Sequence, residues 1–238
     1  MRIWLLLLGL LPSVVQAKII WQDFRLSYLY GENYRLGDPR RQVLTFEHAA
    51  QTSWGDSFFF LDHLRSQDGS RNNYAEWQPR FSLTKNSNQT FQFGLIKDVL
   101  LAGHLEMSSQ ATNYLYGAGV DLAVPGFRML QANLYRRNNQ LRADNWQLTL
   151  VWVYPFKIGQ QQFLLDGFLD WASGNADQHA NLNLTPQLKW LASPSLGLES
   201  ALWLGVEYVL WRNKFGIADS PERRSHENNL NLLLKWHF

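Results

Sequence analysis

The last ten residues of the chain repeat an apolar side chain with a period of two, and the opposite row is polar except for Leu233. Residues 229–238 carry an apolar side chain at every second position, and this row is Leu230, Leu232, Leu234, Trp236 and Phe238. A period of two residues is typical of a β-strand with one apolar and one polar face. The row ends in two aromatic residues suited to a membrane interface, which is typical of the strand that closes an outer-membrane β-barrel. We therefore expect a sheet that closes on itself.

A short apolar segment at the other end predicts a cleaved signal peptide. Met1 and Arg2 precede the apolar run from Trp4 to Leu11, and Ala17 ends a group of residues at which a signal peptidase would cut. The run is too short to span a membrane as a helix. We expect residues 1–17 to be removed and residues 18–238 to form one outer-membrane β-barrel.

Composition excludes several classes of protein. Beyond the first segment there is no stretch of about 18 apolar residues, which excludes a helical membrane protein. A barrel escapes this test because its outward and inward residues alternate and cancel in the average. The chain has 11 Trp, 9 Tyr and 14 Phe, as aromatic girdles require, and it has no Cys, which excludes disulfides and thiolate chemistry. The net charge of +2 does not indicate a partner, and no basic cluster or nucleic-acid motif appears, so we expect no nucleic-acid partner.

Polar and tight connections alternate between amphipathic runs of about ten residues. The polar connections are 31–41, 65–73, 106–113, 137–145, 173–181 and 212–228. The tight connections are 53–56, 85–90, 125–126, 155–161 and 192–197. Six polar and five tight connections join twelve strands and leave both termini on the side of the tight turns. The sequence thus predicts an all-β, twelve-stranded antiparallel transmembrane β-barrel.

The alternation also predicts which side chains point into the barrel. Trp146, Leu148 and Tyr154 share an outward row, while the opposite parity predicts a polar lumen in which acidic groups predominate. The predicted lumen residues are Glu47, Phe58, Phe60, Asp62, Glu76, Arg80, Asp98, Asp121, Gln131, Asn133, Tyr135, Asp166, Asp170, Gln187, Lys189, Glu199 and Glu207. Lys97 shares the parity of Phe91, Phe93 and Leu95, so we expect a β-bulge or an interfacial position there.

Several ordered segments resemble the OmpK and Tsx-like family of nucleoside-specific channels. They begin with Glu47-His48-Ala49, Phe58-Phe59-Phe60 and Glu76-Trp77-Gln78-Pro79-Arg80, continue through Lys97-Asp98-Val99-Leu100-Leu101-Ala102-Gly103 and Trp152-Val153-Tyr154-Pro155-Phe156, and end with Gly205-Val206-Glu207-Tyr208 and Lys235-Trp236-His237-Phe238. The resemblance covers most of the chain after the first segment. It implies a twelve-stranded outer-membrane barrel that conducts nucleosides passively, without a cofactor, and that some phages use as a receptor.

Recognition of a nucleoside in such a lumen needs aromatic faces for the base and hydrogen-bonding groups for the sugar. Phe58, Phe60 and Tyr135 have the parity to supply the first. Carboxylates such as Glu47, Asp62 and Glu76 would bind the sugar hydroxyls, with Arg80 and Lys189 balancing their charge. Alternatively, the charged groups pair with one another across the lumen and only hold the barrel together. Phe58 and Phe60 would then pack against a constricted wall.

Other functions have less support in the sequence. No serine lies in a nucleophile motif, and the adjacent Asp62 and His63 point to opposite faces of a strand, which argues against an enzyme. No two histidines share a strand face at ligand spacing, so we predict no metal site. Two alternatives remain, namely a narrow channel for other small polar solutes and a surface barrel for adhesion or phage binding. The connection 212–228 is the longest and would then make the contact.

Overall fold

The computed structural model describes residues 18–87 and 89–238. The predicted signal peptide, residues 1–17, lies outside the described residues and stays a prediction. In the described part of the chain, no helix is long and apolar enough to cross a membrane. The helical elements there are α1 (Leu83–Asn86), α2 (Ser193–Leu196) and a 3-10 turn at Lys214–Gly216.

Twelve β-strands form one closed antiparallel barrel. Each strand pairs with its neighbours in the sequence, and the last strand pairs with the first. The strands are β1 (Ile19–Gly31), β2 (Arg41–Thr52), β3 (Gly55–Ser66), β4 (Arg71–Ser82), β5 (Ile96–Ser108), β6 (Thr112–Leu122), β7 (Met129–Asn138), β8 (Asn145–Ile158), β9 (Gln161–Ala172), β10 (Asn181–Leu191), β11 (Leu202–Arg212) and β12 (Glu227–His237). The predicted fold class and strand number are confirmed.

The seam between β1 and β12 closes the barrel over seven residue pairs, from Arg25 opposite His237 to Gly31 opposite Asn231. On the outer side of β12 the apolar row is exposed, and Leu232 retains 64% of its accessible surface. On the inner side, Asn229 and Asn231 are 1% exposed. The alternation read from the sequence therefore separates the outside of the barrel from its interior.

The predicted polar connections are shorter than expected at two places. Strands β3 and β4 continue their pairing as far as Arg65 opposite Arg71, so the connection 65–73 contracts to 67–70. Likewise, β5 and β6 leave only 109–111 of the predicted 106–113. The polar residues at these positions continue the strand pairing beyond the apolar part of the wall instead of starting a loop. The prediction of two long loops at these positions is wrong.

Three tight connections at the opposite end are longer than expected, and one of them, 125–126, extends to 123–128. The predicted turn 85–90 lies within the connection 83–95, which starts with α1, where the Ser82 side chain accepts a hydrogen bond from the Lys85 amide at 3.0 Å. The predicted turn 192–197 lies within 192–201, which contains α2. Strand β11 begins only at Leu202, so Glu199 is exposed in this connection. The prediction that Glu199 lies in the lumen is therefore wrong.

A β-bulge explains Lys97. The register between β5 and β6 shifts between Ile96 and Asp98, so Lys97 has no cross-strand partner and is exposed. The inserted residue restores the inward direction of Asp98. Residues 91–95 precede the strand rather than belonging to it, and Phe93 pairs back with Ile96 in an isolated bridge.

Strands β6 and β7 approach each other unusually closely at Gly117. A Cβ atom built on Gly117 would lie 1.9 Å from the carbonyl oxygen of Leu134. The inward neighbours of this position, Ala102, Leu115 and Tyr135, form a small buried apolar cluster. Only glycine lets the wall bend over this cluster without a backbone shift.

We expect Gly117→Ala to lower the free energy of unfolding by about 1–3 kcal/mol, because the added methyl group forces β6 and β7 apart. Gly103→Ala is the matched control on the adjacent strand, since its Cβ would lie 3.4 Å from Pro79 Cγ, an ordinary contact. Urea unfolding of the barrel in lipid vesicles, followed by tryptophan fluorescence, measures both. Equal losses in the two variants would contradict the close approach.

Candidate functional site

The barrel interior gathers the residues that the sequence predicts for the lumen. One inward row runs across four neighbouring strands, from Glu47 to Phe60, Glu76 and Glu106. The same alternation turns the other predicted residues inward, and they are Phe58, Asp62, Arg80, Asp98, Asp121, Tyr135, Asp166, Asp170, Lys189 and Glu207. Their role in binding a solute stays a prediction. The hydrogen bonds and ion pairs that each residue already makes decide whether it is free to bind a solute.

Arg80 is held inside the barrel by three strands. Its guanidinium donates to both carboxylate oxygens of Asp56, at 2.9 and 2.6 Å, and to Asp121 at 2.9 Å. A longer bond of 3.4 Å reaches Asn133. Only 3% of the arginine is exposed. Arg80 therefore fastens β3, β4 and β6 together.

Two lysines are also committed to carboxylates. Lys235 donates to Glu47 at 3.0 Å, and Arg25 lies 3.7 Å from the same carboxylate. Lys189 is 1% exposed and donates to Asp166 at 2.6 Å. Buried pairs of this kind contribute little net stability, but breaking one leaves an uncompensated charge. These basic groups neutralise wall carboxylates rather than presenting a positive charge to the passage.

A network around His104 brings together a histidine and two carboxylates. His104 Nε2 lies 2.8 Å from Glu76, and the ligand atoms of His104, Glu76 and Glu106 lie within 4.8 Å of one another. The geometry resembles that of a metal site. However, both Glu106 oxygens accept from Arg137 at 2.7 Å, and Glu76 accepts from Tyr74 and Gln78. The cation in this network is the Arg137 guanidinium, so we assign no metal to it.

Four inward carboxylates of the described residues form no ion pair, namely those of Asp62, Asp98, Asp170 and Glu207. They accept hydrogen bonds from neutral groups instead. Asp62 bonds to Thr45, Asp98 to Ser82, and Glu207 to Gln187 and Asn231. Because Arg80, Lys189 and Lys235 are already bonded to other carboxylates, they do not neutralise these four.

An aromatic ladder lies beside these carboxylates. The ring centroids of Phe58 and Phe60 are 6.2 Å apart, and those of Phe60 and Tyr74 are 5.9 Å apart. All three side chains are partly exposed to the lumen. Tyr135, in contrast, is 1% exposed and has its ring edge-on against His104. Phe58, Phe60 and Tyr74 thus form a continuous, partly open aromatic surface.

Sequence reasoning did not single out Tyr74, although its parity and its place opposite Asp62 could have identified it. Its hydroxyl donates to Glu76 at 2.6 Å. The pair joins an aromatic face to a carboxylate within one strand.

Sequence reasoning also missed two loop residues at the end of the barrel remote from the termini. Tyr34, from the connection 32–40, is 8% exposed, and its hydroxyl donates to Asn231 at 2.9 Å. Lys214 lies 5.8 Å from the Tyr34 ring and donates to Glu227 at 2.6 Å. Burial lowers the pKa of the Lys214 ammonium and raises that of the Tyr34 hydroxyl. These contacts tie two loops to the inner wall, which no local pattern predicts.

Comparisons with known proteins identify the kind of barrel. A family model described as "Nucleoside-specific channel-forming protein, Tsx" matches residues 17–233. A search of curated proteins finds no match. Among solved structures, the "KdgM porin" is similar at 10% identity and a TM-score of 0.53, covering 91% of this chain and 99% of that chain. The "KdgM porin in complex with disordered oligogalacturonate" matches with the same coverage, at 10% identity and a TM-score of 0.52. This likeness concerns the fold.

We expect Arg80→Met to lower the free energy of unfolding by about 3–5 kcal/mol, because Asp56 and Asp121 would face each other without a cation. Adding Asp56→Asn and Asp121→Asn to the same chain should recover part of this loss by removing the repulsion. Arg212→Met, at an exposed position, should change it by less than about 0.5 kcal/mol. Denaturant titration in vesicles measures the free energy of unfolding of all three variants. An Arg80→Met variant as stable as the unaltered protein would show that the network is not needed.

Proposed function

The chain belongs to the family of nucleoside-specific channel-forming proteins, Tsx, and we propose that it is an outer-membrane channel through which nucleosides diffuse passively. The exposed apolar row on β12 supports a location in a lipid bilayer, and outward residues such as Trp77 and Trp171 are suited to its interfaces. Because passive diffusion needs no energy source, the chain requires no cofactor for it.

The observation that carries this proposal is the aromatic ladder of Phe58, Phe60 and Tyr74 next to inward carboxylates. A nucleoside combines a flat base with a sugar that offers hydroxyl donors. Stacking on an aromatic side chain contributes about 1–3 kcal/mol per base, and a carboxylate accepts hydrogen bonds from hydroxyls. Asp62 lies directly opposite Tyr74 on the neighbouring strand, so both kinds of contact are available at the same height.

The charge of the lumen favours a neutral solute over an anionic one. The unpaired carboxylates of Asp62, Asp170 and Glu207 would repel an acidic sugar chain of the kind found in the KdgM complex. A neutral nucleoside meets no such repulsion. It meets several weak sites in series instead, which favours passage over retention.

Two alternatives stay open. The same lumen would serve another small polar solute, because carboxylates also bind sugar and amino acid groups. A receptor or adhesion role would depend on the polar connections, above all 213–226, where Arg223 and Arg224 are exposed. Phage binding there would not exclude transport.

The direct test is solute flux into liposomes that contain the purified protein, comparing adenosine and thymidine with a sugar and an amino acid of similar size. We expect faster entry of the nucleosides. Equal entry of all four solutes would reject nucleoside selectivity and leave a general pore. No entry of any solute would reject the channel and favour the receptor role.

We expect Phe60→Leu to reduce the ratio of thymidine to sugar flux at least about fivefold, because leucine keeps the bulk but loses the stacking face. Phe59→Leu is the matched control, since Phe59 is the next residue in the same strand and points outward. Its flux ratio should equal that of the unaltered protein. A Phe60→Leu channel with unchanged selectivity would count against base stacking on this ladder.

A further inference from the structure

Two arginines lie directly opposite each other on the outer wall of the barrel. Arg65 of β3 pairs with Arg71 of β4, and both side chains are exposed. They belong to the outward row of these strands, because the same parity places Leu61 and Trp77 on the exposed apolar surface. Like charges directly across an antiparallel pair repel each other. The arrangement is therefore costly unless an anion lies between the two side chains.

Nearby carboxylates do not supply that anion. Across the described ranges 18–87 and 89–238, neither Arg65 nor Arg71 takes part in an ion pair or a side-chain hydrogen bond. The acidic groups of the adjacent loops are engaged elsewhere, since Asp38 accepts the amides of Arg40 and Asp68, and Asp68 accepts that of Ser70. On the opposite side of the rim, Arg136 has a carboxylate, Asp144, at 3.6 Å.

A cleft of about 390 Å³ lies beside Arg65. Its wall includes Arg40, Gln42, Ser66 and Gln67, which offer further hydrogen-bond donors. Arg40 donates to Gln67 at 3.3 Å and lies 3.8 Å from Glu32, but it is about half exposed and keeps further donors for a ligand. Guanidinium groups bind phosphate oxygens through pairs of parallel hydrogen bonds, so this set of donors is suited to a phosphate.

The position of the cleft in the barrel wall favours a lipid, rather than a free anion, as the source of the phosphate. Below the arginine pair, the outward face carries first His63 and Asn73, which are bonded to each other at 2.8 Å, and then the exposed Leu61. The exposed Leu44 and Tyr28 lie at the height of His63 on the next two strands. This end of the barrel bears the loops remote from both termini, which in bacterial barrels is the outer side. A lipid whose acyl chains cover the apolar row would place its head group at the height of the two arginines. A free anion would gain nothing from that row.

We propose that Arg65 and Arg71, with Arg40 at the adjacent cleft, bind the phosphate of a lipid head group in the outer leaflet. The site lies outside the lumen and is independent of the transported solute. It rests on the outer-membrane location proposed above, but not on nucleoside selectivity. The bound phosphate relieves the repulsion between the two guanidinium groups and anchors this side of the barrel at a fixed depth.

Native mass spectrometry of the full barrel in detergent, with lipid A as the probe, tests the site. We expect retained lipid A, loss of binding when its phosphates are removed, and at least about a tenfold weaker affinity in the double variant Arg65→Gln/Arg71→Gln. Arg212→Gln is the matched control, because Arg212 is exposed at the same end but lies opposite Leu182. Its affinity should not change.

Three results would overturn the site: equal binding by the double variant, equal weakening in Arg212→Gln, or complete displacement of lipid A by inorganic phosphate. The first two would leave only diffuse surface charge, and the third would leave a free-anion site. Gel mobility before and after heating verifies that each variant is folded. Nucleoside flux through the double variant should stay unchanged, so failure of lipid binding and failure of the channel function are separate outcomes.

Discussion

The whole structure depends on the pairing of β1 with β12. A bilayer offers no water to backbone amides and carbonyls, so a sheet that crosses it needs every strand edge covered. Seven residue pairs from Arg25–His237 to Gly31–Asn231 complete the circle, and a further bond joins the Phe238 amide to the Phe24 carbonyl at 3.0 Å. Once the circle is closed, the two-residue period assigns every strand side chain to lipid or lumen. The chemistry of the passage follows from that division.

Inside the barrel, the charged groups that brace the wall are different from those that stay accessible to a solute. Arg80, Lys189 and Lys235 are buried and bonded to carboxylates on other strands, so they act as cross-braces. The remaining carboxylates and the partly exposed rings of Phe58 and Phe60 are the groups that a solute can reach. The pairing alternative therefore applies to Arg80, Lys189 and Lys235, whereas binding of a solute by the remaining carboxylates stays a proposal.

Features that depend on the local two-residue period could be predicted from the sequence, whereas contacts that depend on closure of the barrel could not. The inward direction of Glu47 and Asp170 follows from parity alone, and the bulge at Lys97 follows from a break in it. The bond between Arg80 and Asp121 joins residues 41 positions apart and needs the curvature of the wall. Connection lengths were also misjudged, because polar residues at 65–66 and 71–73 continue the sheet instead of ending it. Glu199 was misplaced for a related reason, since the helix α2 delays the next strand.

The loops 32–40 and 213–226, at the end of the barrel remote from the termini, are fastened to the inner wall. Tyr34 is bonded to Asn231 of the wall, and Lys214 is buried between its ring and Glu227, whose side chain is fully buried. Moving the loop that carries Lys214 would separate this lysine from Glu227 and leave a buried charge without its partner, which costs about 3–5 kcal/mol. Moving the loop that carries Tyr34 would break its hydrogen bond to Asn231. The two loops are thus held against the wall by different contacts, one by a buried ion pair and the other by a neutral hydrogen bond, and the first is the harder to displace.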